Sequence, residues 1–291
     1  MGYKRFSVGD ILVYSVVFLA AFLSIFPFLY VLSVSFTDPE VYIPLQFTVI
    51  PKRFSLEAYA FIMKTHSFTT AMFNSVFVTL VGTVFNLILT FTGAYGLSKK
   101  SMPGTKWILA LITFTLVFNA GMVPSYLLVK DLNMINTYWS IIVPTMTNAW
   151  AIIVVRNFMV SIPTELEEAA KLDGCNDLQV FIKIILPLST AVLATFALFF
   201  AVGHWNSYFN TMLYVTDTTK WTLPLIVKSM VIDSGSIGYG AAAGIAGDTK
   251  QVPQETIKMA AIVLSMAPIV ILYPFLQRYF VKGVMVGAVK G

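Results

Sequence analysis

Long apolar stretches bounded by charged residues make up most of this sequence. Six of these stretches contain no Asp, Glu, Lys or Arg, and each has room for the roughly twenty apolar residues that a helix needs to cross a bilayer. They cover residues 11–37, 65–98, 107–129, 132–155, 184–216 and 259–277. Backbone groups in hydrocarbon must pair within their own segment, and the stretches lack the alternation of barrel strands. The pattern therefore predicts an all-α integral membrane protein with six transmembrane helices.

The overall composition agrees with a lipid environment. Of the 291 residues, 57% are hydrophobic and only 11% are charged, which is more apolar surface than a water-soluble fold buries. The one cysteine, Cys175, excludes internal disulfides and cysteine metal clusters. No basic patch interleaved with aromatic residues accompanies the net charge of +5, so nucleic acid is not an expected partner. We expect the positive charge to reflect membrane topology.

Short loops that are rich in Lys and Arg lie on the cytoplasmic side of a membrane. The segment 98–106 carries three lysines and no acid, which predicts a cytoplasmic position. Six spans then put both termini on that same side. The first apolar stretch is longer than the apolar region of a signal peptide and precedes no clear cleavage site, so we expect an uncleaved span. The third, fourth and fifth spans are predicted at about 107–129, 138–158 and 184–212.

A charged segment interrupts the apolar pattern between the fourth and fifth spans, and its residues predict a short helix. Thr164 and Glu167 have the spacing of a capping box, with Thr164 as the N-cap. Glu165, Glu167 and Glu168 suit the positive end of a helix dipole. Gly174 is placed to end the helix, because glycine adopts the left-handed conformation without a Cβ penalty.

A second helix start follows at once, because Asn176 precedes Gln179 by three residues. Apolar residues beyond it follow the i, i+3, i+4, i+7 pattern of one helix face: Leu178, Phe181, Ile182 and Ile185. The segment therefore predicts a helix, a bend and an amphipathic helix that runs into the membrane.

The spacing of several residues in this segment matches a known pattern. Glu168-Ala169-Ala170 is followed by three residues and Gly174, then by nine residues, Ile184, one residue and Leu186-Pro187. This spacing resembles the EAA loop of the membrane permeases of ABC importers. Three glutamates alone would fit an ordinary capped linker, whereas the complete spacing is far more restrictive.

The resemblance implies a fold and a mode of action. It implies the type I ABC importer permease fold with a cytoplasmic coupling helix, within a coupling loop at 161–183 on which a separate ATPase subunit pushes. The residues that it assigns to ATPase coupling are Glu168, Ala169, Ala170, Leu172, Asp173, Gly174, Phe181 and Pro187.

The segment 118–144, FNAGMVPSYLLVKDLNMINTYWSIIVP, resembles permeases of the carbohydrate-uptake branch. These are maltose-permease-like proteins, close to the alginate and lipoprotein or multiple-sugar types. The resemblance implies a second homologous permease, two ATPase subunits, an extracytoplasmic solute-binding protein and a carbohydrate substrate, in the bacterial cytoplasmic membrane. It implies no cofactor in this chain, with ATP and Mg bound by the ATPase subunits.

The same resemblance suggests how the chain is organised. Residues 1–69 would hold the N-terminal tail, the first span and an outer segment. Residues 70–281 would form the permease core, and residues 282–291 a cytoplasmic tail.

The end of the fifth span carries HWNSYFN at 204–210, which combines amides with aromatic residues. On a helix, Asn206 and Asn210 share one face with Trp205 and Tyr208 beside them. Amides inside a membrane helix are costly unless they face protein or a water-filled cavity. Sugar recognition needs amides for hydroxyl groups and aromatic faces for C–H patches, while the alternative is an interfacial aromatic belt with structural amides. The candidate substrate-cavity residues are Asn119, Asn148, Trp205, Asn206, Tyr208 and Asn210.

Other functional classes fit the sequence less well. It contains no GxxxxGK[ST], HExxH or GxSxG pattern, so neither ATP hydrolysis nor a membrane-embedded enzyme is expected. An ion-coupled transporter needs intramembrane carboxylates or broken helices, and the six apolar stretches contain no Asp or Glu. Importers of peptides or sugar phosphates carry the same loop and stay as alternatives for the substrate.

Overall fold

The structure of the chain is a computed structural model. It describes residues 8–44, 46, 50–99, 101–232 and 253–288, with side chains up to residue 274 in the last of these ranges. Within these residues, every regular element is helical apart from one isolated antiparallel bridge between Thr37 and Phe54. The predicted all-α architecture is confirmed. The predicted tail at 282–291 lies partly outside the described residues.

From α2 to α13 the helices follow one another with short connections, whereas a longer segment separates α1 from α2. The N-terminal helices are α1 (Val8–Ser35), α2 (Glu57–Lys64), α3 (His66–Ser98), α4 (Thr105–Val117), α5 (Met122–Asp131), α6 (Tyr138–Ile142), which a 3-10 turn extends over Val143–Thr145, and α7 (Ala149–Val160). The remaining helices are α8 (Thr164–Leu172), α9 (Asp177–Val180), a π-helical turn (Phe181–Ile185), α10 (Leu186–Leu188), α11 (Thr190–Trp205), α12 (Tyr208–Tyr214), a 3-10 turn (Thr218–Lys220), α13 (Leu223–Ile232) and α14 (Gln254–Ala288).

Three helices in the described part of the chain are long and apolar enough to cross a membrane alone. They cover Gly9–Ser35, His66–Ser98 and Gln254–Pro274. Three further spans exist only if two consecutive helices are taken together, and these pairs are bent by 118° (Thr105–Val117 with Met122–Asp131), 48° (Tyr138–Thr145 with Ala149–Val160) and 83° (Asp177–Leu188 with Thr190–Trp205). The number of spans therefore reaches six as predicted, but continuous helices over 107–129, 138–158 and 184–212 are wrong.

Local backbone requirements explain where the spans break. Gly121 has φ +88°, which ends the helical path, and its N–H donates to Asn119 Oδ1 at 2.8 Å. The Asn148 side chain starts α7 by accepting from the Ala151 N–H at 3.0 Å. At the third break, the Ser189 N–H donates to the carbonyl groups of Ile185 and Leu186. Each break thus satisfies backbone groups that the bend removes from the helical ladder.

The chain divides into two compact units, of which the first comprises residues 1–69 and 227–267. Within it, the segment after α1 is tied back to the end of that helix. Arg53 Nε lies 3.1 Å from an Asp38 carboxylate oxygen, and the Ser35 and Tyr59 hydroxyls are 2.7 Å apart. The Phe36 ring stacks on both Phe54 and Tyr59, so aromatic packing and hydrogen bonds hold the segment together.

The second unit comprises residues 70–226 and 268–291, and α3 runs through its core. Near its N-terminal end, Asn74 Nδ2 donates to the carbonyl oxygens of Thr219 and Trp221 at 2.9 Å each, and the Leu223 N–H donates to Ser75 Oγ at 2.7 Å. Toward its C-terminal end, buried Phe91 and Ala94 belong to a cluster that contains residues of α7, α8, α9 and α11. The helix therefore links several elements that are distant in sequence.

The His204 side chain of α11 packs directly against α3 at Gly82. A Cβ atom added there would lie 2.5 Å from His204 Cε1 and Nε2, so only glycine leaves room for the imidazole ring. By contrast, a Cβ atom at Gly93 on the same helix would meet nothing within 4 Å. Packing therefore requires glycine at position 82 but not at position 93 of the same helix.

We expect Gly82→Ala to destabilise the protein by about 1–3 kcal/mol, because the added methyl group overpacks the contact with His204. Gly93→Ala is the matched control and should unfold at or above the wild-type temperature, since alanine is the better helix former. Thermal unfolding of the purified variants in detergent measures the difference. Equal unfolding temperatures for the two variants would contradict the packing role of Gly82.

Candidate functional site

Residues 164–188 form a compact structure of short helices, which we call the knob. Its first helix begins differently from the prediction, because Thr164 is already helical and Pro163 occupies the cap position without a side-chain hydrogen bond. The predicted Thr164–Glu167 capping box is therefore wrong. The helix starts one residue earlier than the capping box requires, and the Glu167 carboxylate instead pairs with Lys99 at the end of α3.

The turn of the knob is held by backbone hydrogen bonds on both sides of Gly174. This residue has φ +86°, a conformation that favours glycine. The Gly174 N–H donates to the Lys171 carbonyl at 3.0 Å and the Cys175 N–H donates to the Ala170 carbonyl at 2.9 Å. These two bonds form a Schellman motif, so the first helix ends where Gly174 indicates.

The second helix of the knob starts with the reciprocal capping that the sequence predicts. The Gln179 N–H donates to Asn176 Oδ1 at 2.9 Å, and the Asn176 N–H donates to Gln179 Oε1 at 3.0 Å. The turn between the helices thus has defined hydrogen bonds at both ends, which makes the knob a locally rigid structure.

The predicted apolar face of the second helix is only half correct. Phe181 and Ile185 are buried, but the side chains of Leu178 and Ile182 are 64% and 53% exposed. The cause is the π-helical turn over residues 181–185, whose wider i to i+5 repeat changes which side chains share a face. Val180, which is fully buried, takes the place expected for Leu178.

The residues predicted for ATPase coupling divide into a buried and an exposed group. Ala170 and Phe181 are buried in the cluster around α3, α7 and α11. Leu172 is 90% exposed, and the other exposed members are Glu168, Ala169, Asp173, Gly174 and Pro187. Leu166 is an exposed apolar residue of the knob that the sequence reasoning missed, and Leu178, which was predicted on the apolar face, is exposed as well. An exposed apolar surface of this kind is typical of a site that contacts another protein.

The charges of the knob are arranged in pairs. Lys171 Nζ lies 2.8 Å from Asp177 Oδ1, which connects the two helices across the turn. This contact raises the pKa of Lys171 and lowers the pKa of Asp177 through hydrogen bonding and charge attraction. Because the Asp177 pKa is lowered, its contribution to stability is present above the pKa of the unfolded state and is lost as the pH falls. Both side chains are exposed, so solvent screens the pair.

A second candidate site is a cavity of about 360 Å³ around the end of α11. Four of the six predicted cavity residues line it: Asn148, Asn206, Tyr208 and Asn210. Trp205 instead lines a separate cavity of about 240 Å³, together with Thr79 and Thr83. Asn119 lies at the break between α4 and α5, where its side chain accepts the Gly121 N–H.

The two asparagines near the end of α11 do not share one helical face as predicted. The helix α11 ends at Trp205, and Tyr208 begins α12. The cavity therefore forms at a helix break, which brings Asn206 and Asn210 to one space although no continuous helix joins them.

One wall of the cavity is fixed by residues that the sequence reasoning did not assign to it. Asn86 Nδ2 donates to the Thr145 carbonyl at 2.7 Å, so its Oδ1 faces His204 Nε2 at 2.6 Å. The acceptor on Asn86 requires a proton on His204 Nε2. All described lining residues are uncharged types or histidine, and their side chains offer amide, hydroxyl and aromatic groups to a ligand.

Comparison with known proteins identifies the class of protein. The family model described as "Binding-protein-dependent transport system inner membrane component" matches residues 1–286. The chain belongs to this family. The resemblance to permeases of ABC importers is therefore confirmed, and this permease is a multi-pass membrane protein that acts as a transport component. Members of the family work in general with a second permease, ATPases and a binding protein.

Individual relatives match the permease over nearly its whole length. It is 40% identical over 288 residues to the "Polygalacturonan/rhamnogalacturonan transport system permease protein YtcP" of Bacillus subtilis (strain 168), covering 97% of this chain and 98% of the relative. It is 42% identical over 272 residues to "Protein LplC" of the same organism, covering 92% and 90% of the two chains.

A solved structure matches the fold. A chain from the "crystal structure of a bacterial ABC transporter involved in the import of the acidic polysaccharide alginate" gives a TM-score of 0.86 at 32% identity. The match covers 96% of the permease and 100% of that chain. The predicted type I ABC importer permease fold is confirmed.

We expect Phe181→Ala to open the knob, because removing a buried aromatic side chain costs about 3–5 kcal/mol. Leu178→Ala, in the same segment, should change its stability by less than about 0.5 kcal/mol, since Leu178 is exposed. Hydrogen exchange of the knob amides measures both effects. Faster exchange in Leu178→Ala than in Phe181→Ala would restore the face predicted from the sequence.

Proposed function

We propose that this permease imports an oligosaccharide together with a second homologous permease, two ATPase subunits and an extracytoplasmic solute-binding protein. The main support is the cavity at the end of α11, where amide and aromatic side chains suited to sugars meet without a fixed charge. Relatives with 40% and 29% identity are named as transport system permeases for polygalacturonan/rhamnogalacturonan and arabinooligosaccharides. Both names favour a carbohydrate, and the lining without Lys or Arg favours a neutral oligosaccharide over a polyanion such as polygalacturonan.

The lining of the cavity favours a carbohydrate over the alternatives. A sugar phosphate needs cationic groups for its phosphate, and none of the described lining residues is Lys or Arg. A peptide would bring charged termini with the same difficulty. Amides that accept and donate hydrogen bonds, beside the Tyr208 ring, suit the hydroxyl groups and C–H faces of sugar rings.

The exposed surface of the knob is the proposed contact with an ATPase subunit. Glu168 would dock in a cleft of that subunit, and the exposed side chains of Leu172 and Ile182 would supply apolar contacts. Burying one such side chain contributes about 1.5–3 kcal/mol to the contact. The buried Phe181 would contact the rest of the permease instead.

The transport cycle follows from this contact. ATP and Mg would be bound by the ATPase subunits, and this chain would hold no cofactor. Closure of the ATPases would carry the knobs inward, the spans would rock, and the cavity would open outward to receive sugar from the binding protein. The cycle requires the knob and both termini on the cytoplasmic side of the bacterial membrane, which the lysines of the 98–106 segment support.

We expect Gly174→Asp to abolish ATP hydrolysis stimulated by the loaded binding protein while sugar binding by that protein stays intact. A side chain at this left-handed position costs about 1–2 kcal/mol and adds a negative charge to the exposed turn. The measurement is ATPase activity of the reconstituted importer with and without the loaded binding protein.

The matched control is Gly104→Asp. Gly104 also has a left-handed conformation, φ +79°, and is exposed, but it lies before α4 and outside the knob. Its substitution carries similar backbone strain and should leave the stimulation intact. Normal stimulation in a well-folded Gly174→Asp variant would count against the coupling role of the knob.

We expect Tyr208→Leu and Asn210→Ala to lower sugar uptake by about two- to tenfold each, the effect of losing one hydrogen bond. Asn157→Ala is the control, since Asn157 is an exposed amide of α7 that does not line this cavity. Uptake of a labelled oligosaccharide into proteoliposomes measures the effect. Uptake of a peptide delivered by the solute-binding protein, with no uptake of oligosaccharide, would contradict the proposed substrate class.

A further inference from the structure

The C-terminal end of α3 contacts both helices of the knob. Lys99 Nζ pairs with the Glu167 carboxylate on α8, and it lies 4.0 Å from the centre of the Tyr95 ring. Both members of the ion pair are about 21% exposed, so solvent screens this pair less than a fully exposed one. Lys99 is thus held between an acid of the knob and an aromatic face of its own helix.

Tyr95 extends the contact to the second helix of the knob. Its ring centre lies 4.9 Å from that of Phe181, and its hydroxyl donates to the Asp177 carbonyl at 3.4 Å. The Asp177 carboxylate in turn pairs with Lys171 on α8. A movement of either knob helix therefore acts on the same short stretch of α3.

The route from the knob to the cavity through α3 is continuous. The helix α3 is uninterrupted from His66 to Ser98, and Asn86 lies thirteen residues before Lys99, about 20 Å along the helix at 1.5 Å per residue. There Asn86 bonds His204 in the cavity wall. The path along the chain itself is less direct. The helical segment that ends at Leu188 and the following helix α11 meet at an angle of 83°.

We propose that Lys99, with Tyr95 and Glu167, transmits the displacement of the knob to α3, and that α3 passes it to the cavity wall at Asn86 and His204. This role rests on the proposed function of the knob as the ATPase contact. Lys99 and Tyr95 are positioning residues: they touch neither substrate nor nucleotide, and they join the ATPase-driven knob to the helix that shapes the cavity.

The test uses the complete importer in proteoliposomes with its loaded binding protein. Lys99→Met and Glu167→Gln remove the ion pair at similar side-chain size. We expect sugar uptake per ATP hydrolysed to fall at least about fivefold, the lower range of measured couplings between sites, while stimulation of ATP hydrolysis persists. Lys99→Arg keeps the charge and the aromatic contact and should remain coupled.

The matched control is Lys106→Met. Lys106 is an exposed lysine at the start of α4, close to Lys99 in sequence but outside the contacts with the knob. It should keep the wild-type ratio of uptake to hydrolysis. Uptake and stimulated hydrolysis that fall in parallel in Lys99→Met, or a wild-type ratio in Lys99→Met and Glu167→Gln, would overturn the proposal.

Hydrogen exchange supplies a readout that does not depend on the substrate. In the wild-type complex, we expect nucleotide binding to change the exchange of both the knob amides and the C-terminal amides of α3. In Lys99→Met the knob should still respond and α3 should not. A wild-type importer that takes up no oligosaccharide would contradict the substrate class alone, whereas an α3 response retained in Lys99→Met would contradict the transmission role.

If Lys99→Met prevents assembly, a double variant with the two charges exchanged, Lys99→Glu with Glu167→Lys, tests the role of the ion pair. A ratio of uptake to hydrolysis above that of Lys99→Glu alone supports the ion pair as a transmitting contact, and no improvement over the single variant overturns it.

Discussion

Hydrogen bonding of the backbone inside a membrane is the constraint on which the membrane-spanning part of this permease depends. A peptide group in hydrocarbon finds no water, so a helix that bends must replace each bond that it loses. The described breaks meet this requirement with side chains and shared carbonyl groups: Asn119 accepts the Gly121 N–H, and Asn148 accepts the Ala151 N–H. Amides that look like binding residues in the sequence therefore serve in part to make the bends permissible.

The same constraint explains the polar residues along α3. Three of them form hydrogen bonds with backbone groups of distant segments: Asn74, Ser75 and Asn86. Asn86 also bonds the His204 side chain. Polar side chains in a helix bundle are stable when they satisfy such groups. They connect α3 to loops and breaks that lack regular hydrogen bonding. The uninterrupted helix joins the end that contacts the knob to the cavity wall at Asn86.

The helix ends of the knob are stabilised by the same capping motifs that soluble proteins use. Its turn is closed by a Schellman motif at Gly174 and by reciprocal capping between Asn176 and Gln179. The π-helical turn then places Val180, Phe181 and Ile185 in the core and leaves Leu178 and Ile182 outside. One short segment thereby packs on the permease with one set of apolar residues and leaves another set exposed.

The sequence by itself determined the helical class, the approximate positions of six apolar segments and the ends of the knob helices around Gly174. These features depend on local quantities: the length of an apolar run, the conformations open to glycine and the reach of a side chain to its neighbouring backbone. The spacing around Glu168 and Gly174 was also sufficient to identify the family, which a match over residues 1–286 confirms.

Only the tertiary structure decided which spans are broken, which face of the second knob helix is buried and which polar residues meet. Leu178 is exposed because a π-helical turn replaces the regular repeat on which the pattern analysis depends. Glu167 forms an ion pair with Lys99 and not the predicted capping interaction. His204 bonds Asn86, which lies 118 positions away in the sequence. Such contacts depend on how the helices pack against one another. The hydrophobic periodicity of one segment indicates which of its faces is buried, but not which other segment packs on that face.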